Sequence, residues 1–173
     1  MALNLDFGGV KLGHRVRDVT TGIEGYAVQL CWGLAGWRQV TIQPSSADEK
    51  DYKAPIGVDY QMVEVVGDGI VDKAIQPRRD IVNLLGKIAS DTVTGAKGTV
   101  TEMISHVNGC VTCYIQPKKG PLQSELPTLI HLDHKRLKVE KDGPLAESAR
   151  SLDAVDTVVP VGPSVRVVSR RPV

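Results

Sequence analysis

Four side chains of the kinds that bind metal fall close together late in the chain, as Cys110-x-x-Cys113 and His131-x-x-His134. Two cysteines and two histidines at such spacing are the ligand types of a tetrahedral zinc site. Two observations weigh against one. Residues three apart on a strand point to opposite faces. An upstream copy of the same stretch holds Trp37, Val40, Gly57 and Tyr60 at the equivalent positions, so the fold does not need a metal there. Cys113, aligned with Val40, is expected to be a small core residue. A redox reading of the same CxxC needs a helix N-terminus to stabilise a thiolate, and these cysteines fall within a strand pattern. The Asp-x-x-Thr-Gly-x-x-Gly runs at Asp18 and Asp91 could be mistaken for phosphate loops. A phosphate cradle leads into a helix; here a strand pattern follows, so the glycines are expected in turns. No Ser/His/Asp, Cys/His or paired-carboxylate arrangement recurs or shares an element. No enzymatic activity, metal or cofactor is therefore expected.

The elements that carry these residues occur twice. Residues 12–44 and 85–117 align without a gap at a spacing of 73, with ten of 33 positions identical. The identities are Leu12/Leu85, Gly13/Gly86, Asp18/Asp91, Thr21/Thr94, Gly22/Gly95, Gly25/Gly98, Gly36/Gly109, Ile42/Ile115, Gln43/Gln116 and Pro44/Pro117. One residue is then inserted and the register resumes, with Val58-Asp59 facing Leu132-Asp133 and Asp68-Gly69 facing Asp142-Gly143. A match at fixed period marks a duplicated structural unit. Each unit has about 60 residues, near the lower limit for a self-sufficient core, so the two are expected to pack together or lean on partners.

Period-2 patterns and glycine-marked turns predict strands over 12–19, 25–30 and 37–43, closed by a strand pair within 58–66, and the same plan over 85–139. Arg38, Val40 and Ile42 share one face of the third strand. Glycines 22 and 25 are both read as supplying the positive φ of a tight hairpin. In the connection, Pro77 forbids a long helix and Asp80 could cap one short turn. The expected fold is all-β: two tandem SH3-like small antiparallel barrels with extended N- and C-terminal arms. The expected division is an N-terminal arm at 1–11, lying at the surface or against a partner, a first barrel at 12–69, a linker at 70–84, a second barrel at 85–143, and a C-terminal arm at 144–173. In that last arm, 144–152 could form a short helix. The valine-rich remainder, with Val165, Val167 and Val168, reads either as an arm that adds a strand to a neighbour or, in isolation, as a disordered tail.

Net charge is +1, from 21 basic and 20 acidic residues, which disfavours a dedicated polyanion binder. Three cysteines form no disulfide framework, pointing to a reducing compartment. Neither a signal peptide nor a membrane span is expected. Trp32 and Trp37 align with Ser105 and Cys110, neither of them large and apolar. A core position would seldom tolerate that exchange, so both tryptophans are candidate partner contacts, with Trp32 expected at the surface or between the units.

The second copy reads Leu85-Gly86-Lys87, Asp91, Val93-Thr94-Gly95, Gly98 and Val100-Thr101, then Asn108-Gly109-Cys110-Val111 and Ile115-Gln116-Pro117, then Leu132-Asp133 and Arg136-Leu137. This pattern resembles a family of small tailed-bacteriophage proteins that usually carry it once. The first copy departs from it, with His14 for the lysine and Trp37 for the cysteine. The resemblance covers about two thirds of the chain and misses the C-terminal arm. It implies a phage origin and a compact β fold, and brings no catalytic residues with it. A non-enzymatic virion protein is expected, bound in many copies to phage structural proteins, above all the major capsid protein, as a capsid decoration or cement protein. It would be found in the virion, and in the host cytoplasm before assembly. A tail or head-tail connector accessory protein is the alternative, as is a nucleic-acid-binding or host-modulating phage protein.

Overall fold

A computed structural model describes residues 6–46, 52–120 and 127–143. The fold is all-β and antiparallel. The first unit contains β1 (Arg15–Asp18), β2 (Glu24–Gly33), β3 (Arg38–Pro44), β4 (Ile56–Asp59) and β5 (Val63–Gly67), with a 3₁₀ turn at Tyr60–Met62 before β5. The second repeats the series as β6 (Lys87–Asp91), β7 (Lys97–His106), β8 (Val111–Pro117), β9 (Ile130–Asp133) and β10 (Leu137–Asp142), with its 3₁₀ turn at His134–Arg136. Hydrogen bonding runs in the order β10-β6-β7-β2-β1-β5, with β3 and β4 branching from β2, and β8 and β9 from β7. The strand positions follow the sequence pattern, but β2 continues past the expected 25–30 to Gly33, so Trp32 lies in a strand.

β2 and β7 have 10 residues each, longer than the usual five or six, because each serves two neighbours along one edge. The first residues of β2 pair with β1 and its last with β7; β7 likewise serves β6 and then β2. Register shifts at Ala27/Gln29 and Val100/Glu102 separate the two halves, as bulges do where a strand must bend. The β2–β7 seam pairs Gln29 with His106 through Gly33 with Glu102, and its middle pair is Cys31 with Ile104. Those two residues are equivalents in the repeat, so the register maps onto itself under a pseudo-two-fold. The bonds flanking it obey the same symmetry: Leu34 N–H donates to Thr101 O (2.7 Å) and Val107 N–H to Val28 O (2.8 Å). Gln29 Nε2 meets His106 Nδ1 (3.2 Å), Thr41 donates to Gln29, and His106 Nε2 meets Thr112 Oγ1, so side chains link β3, β2, β7 and β8 across the seam.

One apolar core spans both units, from Val16, Leu30, Val40 and Ile42 to Val100, Met103, Val111 and Cys113. Sharing it answers the shortage of buried surface that either unit alone would face. The N-terminal segment also enters this core. Phe7 and Val10 are 1% and 5% exposed, which corrects the expectation of a surface arm for these residues. Gly8 and Gly9, both at positive φ, turn the chain back so that Phe7 packs T-shaped on Trp32 (4.9 Å) and Tyr60 (5.9 Å). Arg38 shares the buried face with Val40 and Ile42 and is itself 5% exposed. It donates to the Asp6 carbonyl and to Tyr60 Oη, and its guanidinium lies 4.2 Å from the Tyr60 ring centroid, a favourable cation–π distance. In the connection, α1 (Arg79–Val82) buries Val82 against the core. Asp80 lies inside its first turn paired with Arg78, and the capping position is Arg78, so the expected Asp80 cap is corrected. The expected C-terminal helix and strand, including Val165, Val167 and Val168, lie outside the described residues.

Gly22 and Gly95 take φ of 75° and 74° at the hairpin tips, as turn residues should. Gly25 and Gly98 do not, which corrects the hairpin role given to Gly25. They sit inside strands where a Cβ would come within 2.0 Å of the Gln43 carbonyl oxygen and 2.4 Å of that of Gln116. Close backbone approach is what fixes glycine there. Phe7→Ala should destabilise the protein by about 3–5 kcal/mol, the usual cost of removing a fully buried phenylalanine, measured by denaturant unfolding. A change under about 1 kcal/mol would show that the N-terminal segment is not part of the core.

Candidate functional site

The residues that sequence patterning marks for chemistry are used mainly to build the units. Asp18 and Asp91, invariant between copies, close the two hairpins. Asp18 accepts from the Thr20 amide and the Thr21 hydroxyl (2.6 Å); Asp91 accepts from the Val93 and Thr94 amides and the Thr94 hydroxyl (2.6 Å). This side-chain-to-backbone bonding is the mechanism by which Asp favours turns. Asp59 and Asp133 open the two 3₁₀ turns in the same way, accepting from the Gln61 and Lys135 amides. The hairpin latches differ in one respect. Arg136 donates to Asp91 through both Nε (3.0 Å) and Nη2 (2.6 Å), whereas its equivalent in the first unit is Met62. The Arg136 guanidinium, then the Thr94 hydroxyl, hold the Asp91 carboxyl well below the usual carboxylate range. Burial opposes ionisation of Asp18 most strongly, yet bonds from Thr21 and Thr20 outweigh it and leave the carboxyl below its ordinary value.

The cysteine and histidine quartet is not gathered around one point. Cys113 is fully buried in the core position of Val40, as its alignment predicts, and Cys110 is exposed. Burial, then the charge of Asp133, pushes the Cys113 thiol up to about 12, the opposite of the activated thiolate a redox pair requires. His131 stacks on Tyr114 (5.2 Å), and His134 Nδ1 faces the Val111 carbonyl at 3.4 Å. Among the described residues no group of three or more His, Cys, Asp or Glu is arranged to hold a metal, and no helix is long and apolar enough to cross a membrane.

Of the two candidate contact tryptophans, Trp32 is 3% exposed. It is on the inter-unit seam, opposite Met103, and its surface role is corrected. Its partner in the repeat, Ser105, is also buried and lies opposite Leu30. The core accepts the exchange because Phe7 packs on Trp32 and the seam pairs differ in size: Trp32 with Met103, Leu30 with Ser105. Trp37 is 38% exposed, resting on Gly33, where a Cβ would overlap the indole at 2.0 Å. Other exposed apolar side chains include Val65 (38%) on β5 and Val139 (41%) on β10. These two are equivalents in the repeat and lie on the outermost strands of the hydrogen-bonded order.

A feature missed in the sequence reading lies in the second unit. A groove of about 230 Å³ is lined by Ile88, Lys97, Gly98, Thr99, Lys118 and Lys141. Lys97 and Lys141 come from β7 and β10 and Lys118 directly follows β8, so the three are far apart in the chain. Comparing copies would have exposed them, since their equivalents are Glu24, Ser45 and Gly67.

Two outcomes follow from this geometry. Because Asp91 titrates well below its ordinary value in the folded state, its contribution is present above the ordinary carboxylate value of about 4 and is lost progressively as pH falls from there down through the lower folded-state value. Arg136→Met, which copies Met62, should lower Tm at neutral pH, and its gap to wild type should narrow as the solution is taken towards about pH 2; a constant gap would remove the pairing as its cause. Cys110 alone should react with a maleimide in the native protein at neutral pH, with Cys31 and Cys113 following only on denaturation. Comparable native reactivity of Cys113 would contradict its burial. Compared with protein-family models, with curated proteins and with solved structures, the chain matches none of them.

Proposed function

We propose that this is a non-enzymatic virion protein of a tailed bacteriophage, a decoration protein that docks on the capsid lattice in many copies and staples neighbouring subunits. Each unit is read as a small SH3-like barrel. The order β5-β1-β2-β3-β4, with a single 3₁₀ turn leading into β5, supports that reading and recurs as β10-β6-β7-β8-β9. The observation that carries the function is the repeated pair of outer strands. Among the described residues β5 and β10 each pair on one side only, and each presents an exposed valine, Val65 and Val139. Strands with a free edge are sites where another chain can add or pack. Two equivalent sites on one continuous sheet provide two-point attachment, which raises avidity without strong single contacts. Trp37 adds an exposed aromatic anchor of the kind enriched in interfaces. The phage-like motif supplies the setting, and the major capsid protein is the proposed partner. Attachment at the tail or head-tail connector uses the same surfaces and is separated from the head by dissecting particles.

Purified particles should contain the protein at a fixed ratio to the major capsid protein by mass spectrometry, and it should co-sediment with assembled heads. Val65→Asp or Val139→Asp alone should turn two-point into one-point binding and weaken apparent affinity by about 10²-fold or more. Absence of the protein from particles ends the proposal. Retention on isolated tails moves the partner from capsid to tail.

A further inference from the structure

The lysine-lined groove goes beyond the docking reading and does not rest on it. Lys97, Lys118 and Lys141 line one opening with Thr99 beside them and Ile88 within it. Lys97 is engaged by Glu140, which also accepts from Ser90. Among the described residues Lys118 and Lys141 have no ion-pair partner, and both are exposed. Ammonium groups brought together from three separate parts of the chain repel one another unless an anion lies between them.

The first unit is a built-in comparison. At the equivalent positions it has Glu24, Ser45 and Gly67, with Tyr26 for Thr99 and Arg15 for Ile88. There Arg15 and Arg17 both pair with Glu24, and Arg17 also pairs with Glu64 (3.5 Å), so two cations meet two carboxylates and the same corner of the fold is internally neutralised. The sequence around it has diverged in the same sense. Residues 12–69 contain five Lys/Arg against eight Asp/Glu, and residues 85–143 contain eight against six. The near-neutral total therefore conceals a basic second unit, and the whole-chain charge does not describe its partner chemistry.

We propose that the groove of the second unit binds a phosphate group, with Lys118 and Lys141 supplying the charge and Thr99 a neutral hydroxyl donor. Lysine acts here as a point charge, the mode in which it serves phosphate. Two sources carry this chemistry, the backbone of a nucleic acid and a free phosphate-type anion.

The experiment uses the full chain. Inorganic phosphate is titrated while amide shifts are followed by NMR, and a short labelled DNA duplex is titrated by fluorescence anisotropy over a salt series. Wild type is compared with Lys118→Gln/Lys141→Gln, with Lys73→Gln in the connection as control, and with Glu140→Gln, which releases Lys97. Phosphate should move the Gly98 and Thr99 amides in wild type and in the control, and leave them unmoved in the double variant. If the source is nucleic acid, the double variant should bind DNA about tenfold or more weaker, with a salt slope shallower by about 2. If it is a free anion, phosphate shifts persist without DNA binding. Glu140→Gln should tighten whichever is bound, a gain that a misfolded variant would not show. Binding of neither by wild type, or binding by the double variant equal to wild type, overturns the proposal.

Discussion

Antiparallel pairing between β2 and β7 is the constraint on which the rest of the molecule depends. A unit of about 60 residues is marginal on its own, and the seam merges the two into a single core. It also dictates the length of both strands. Each must satisfy a neighbour within its unit and then a neighbour in the other, and the register shifts mark the change of allegiance. Burial of Trp32 and Met103, and the Gln29–His106–Thr112 chain of contacts, follow from the same pairing. Burial, then the charge of His131, lowers the His106 pKa, which favours the neutral ring at the seam.

Within each unit, the invariant residues are those that the backbone path requires. Asp18 and Asp91 supply bonds that hairpin amides would otherwise lack. Gly25 and Gly98 let two strands approach more closely than any side chain permits. Around this fixed frame the copies differ in how they meet solvent. Asp91 receives an arginine where Asp18 has none, and the corner occupied by Arg15 and Glu24 in one unit is a lysine-lined opening in the other. Divergence between copies thus concentrates where the frame leaves a choice.

The strand positions and the hairpin turns at Gly22 and Gly95 were legible because period-2 burial and repeated glycines are local signals, and the duplication doubled each of them. Cys113 was legible for the same reason, since its copy is Val40. What escaped the sequence depends on contacts distant along the chain. Phe7 reads as part of an extended arm at the surface or against a partner until Trp32 and Tyr60 are placed beside it. Trp32 reads as unshared because its copy is a serine, yet the seam pairs unlike sizes in a way no single position reveals. Arg38 sits on an apolar face by periodicity, and its bonds to Tyr60 and the Asp6 carbonyl, both distant along the chain, help to stabilise its charge there. The lysine groove draws on three separate parts of the chain, so no local window contains it.

At the centre of the seam Cys31 lies opposite Ile104, its own counterpart in the other copy. A strand that pairs with itself in this way is the geometry of a symmetric dimer interface. A separate single-unit protein using this interface would be held by mass action and would come apart on dilution. Joined through residues 70–84, the two halves meet at the high effective concentration set by a short tether. Their association becomes a folding step with no dependence on protein concentration. The chain carries its partner with it into dilute solution, and its halves need no longer be identical to stay together.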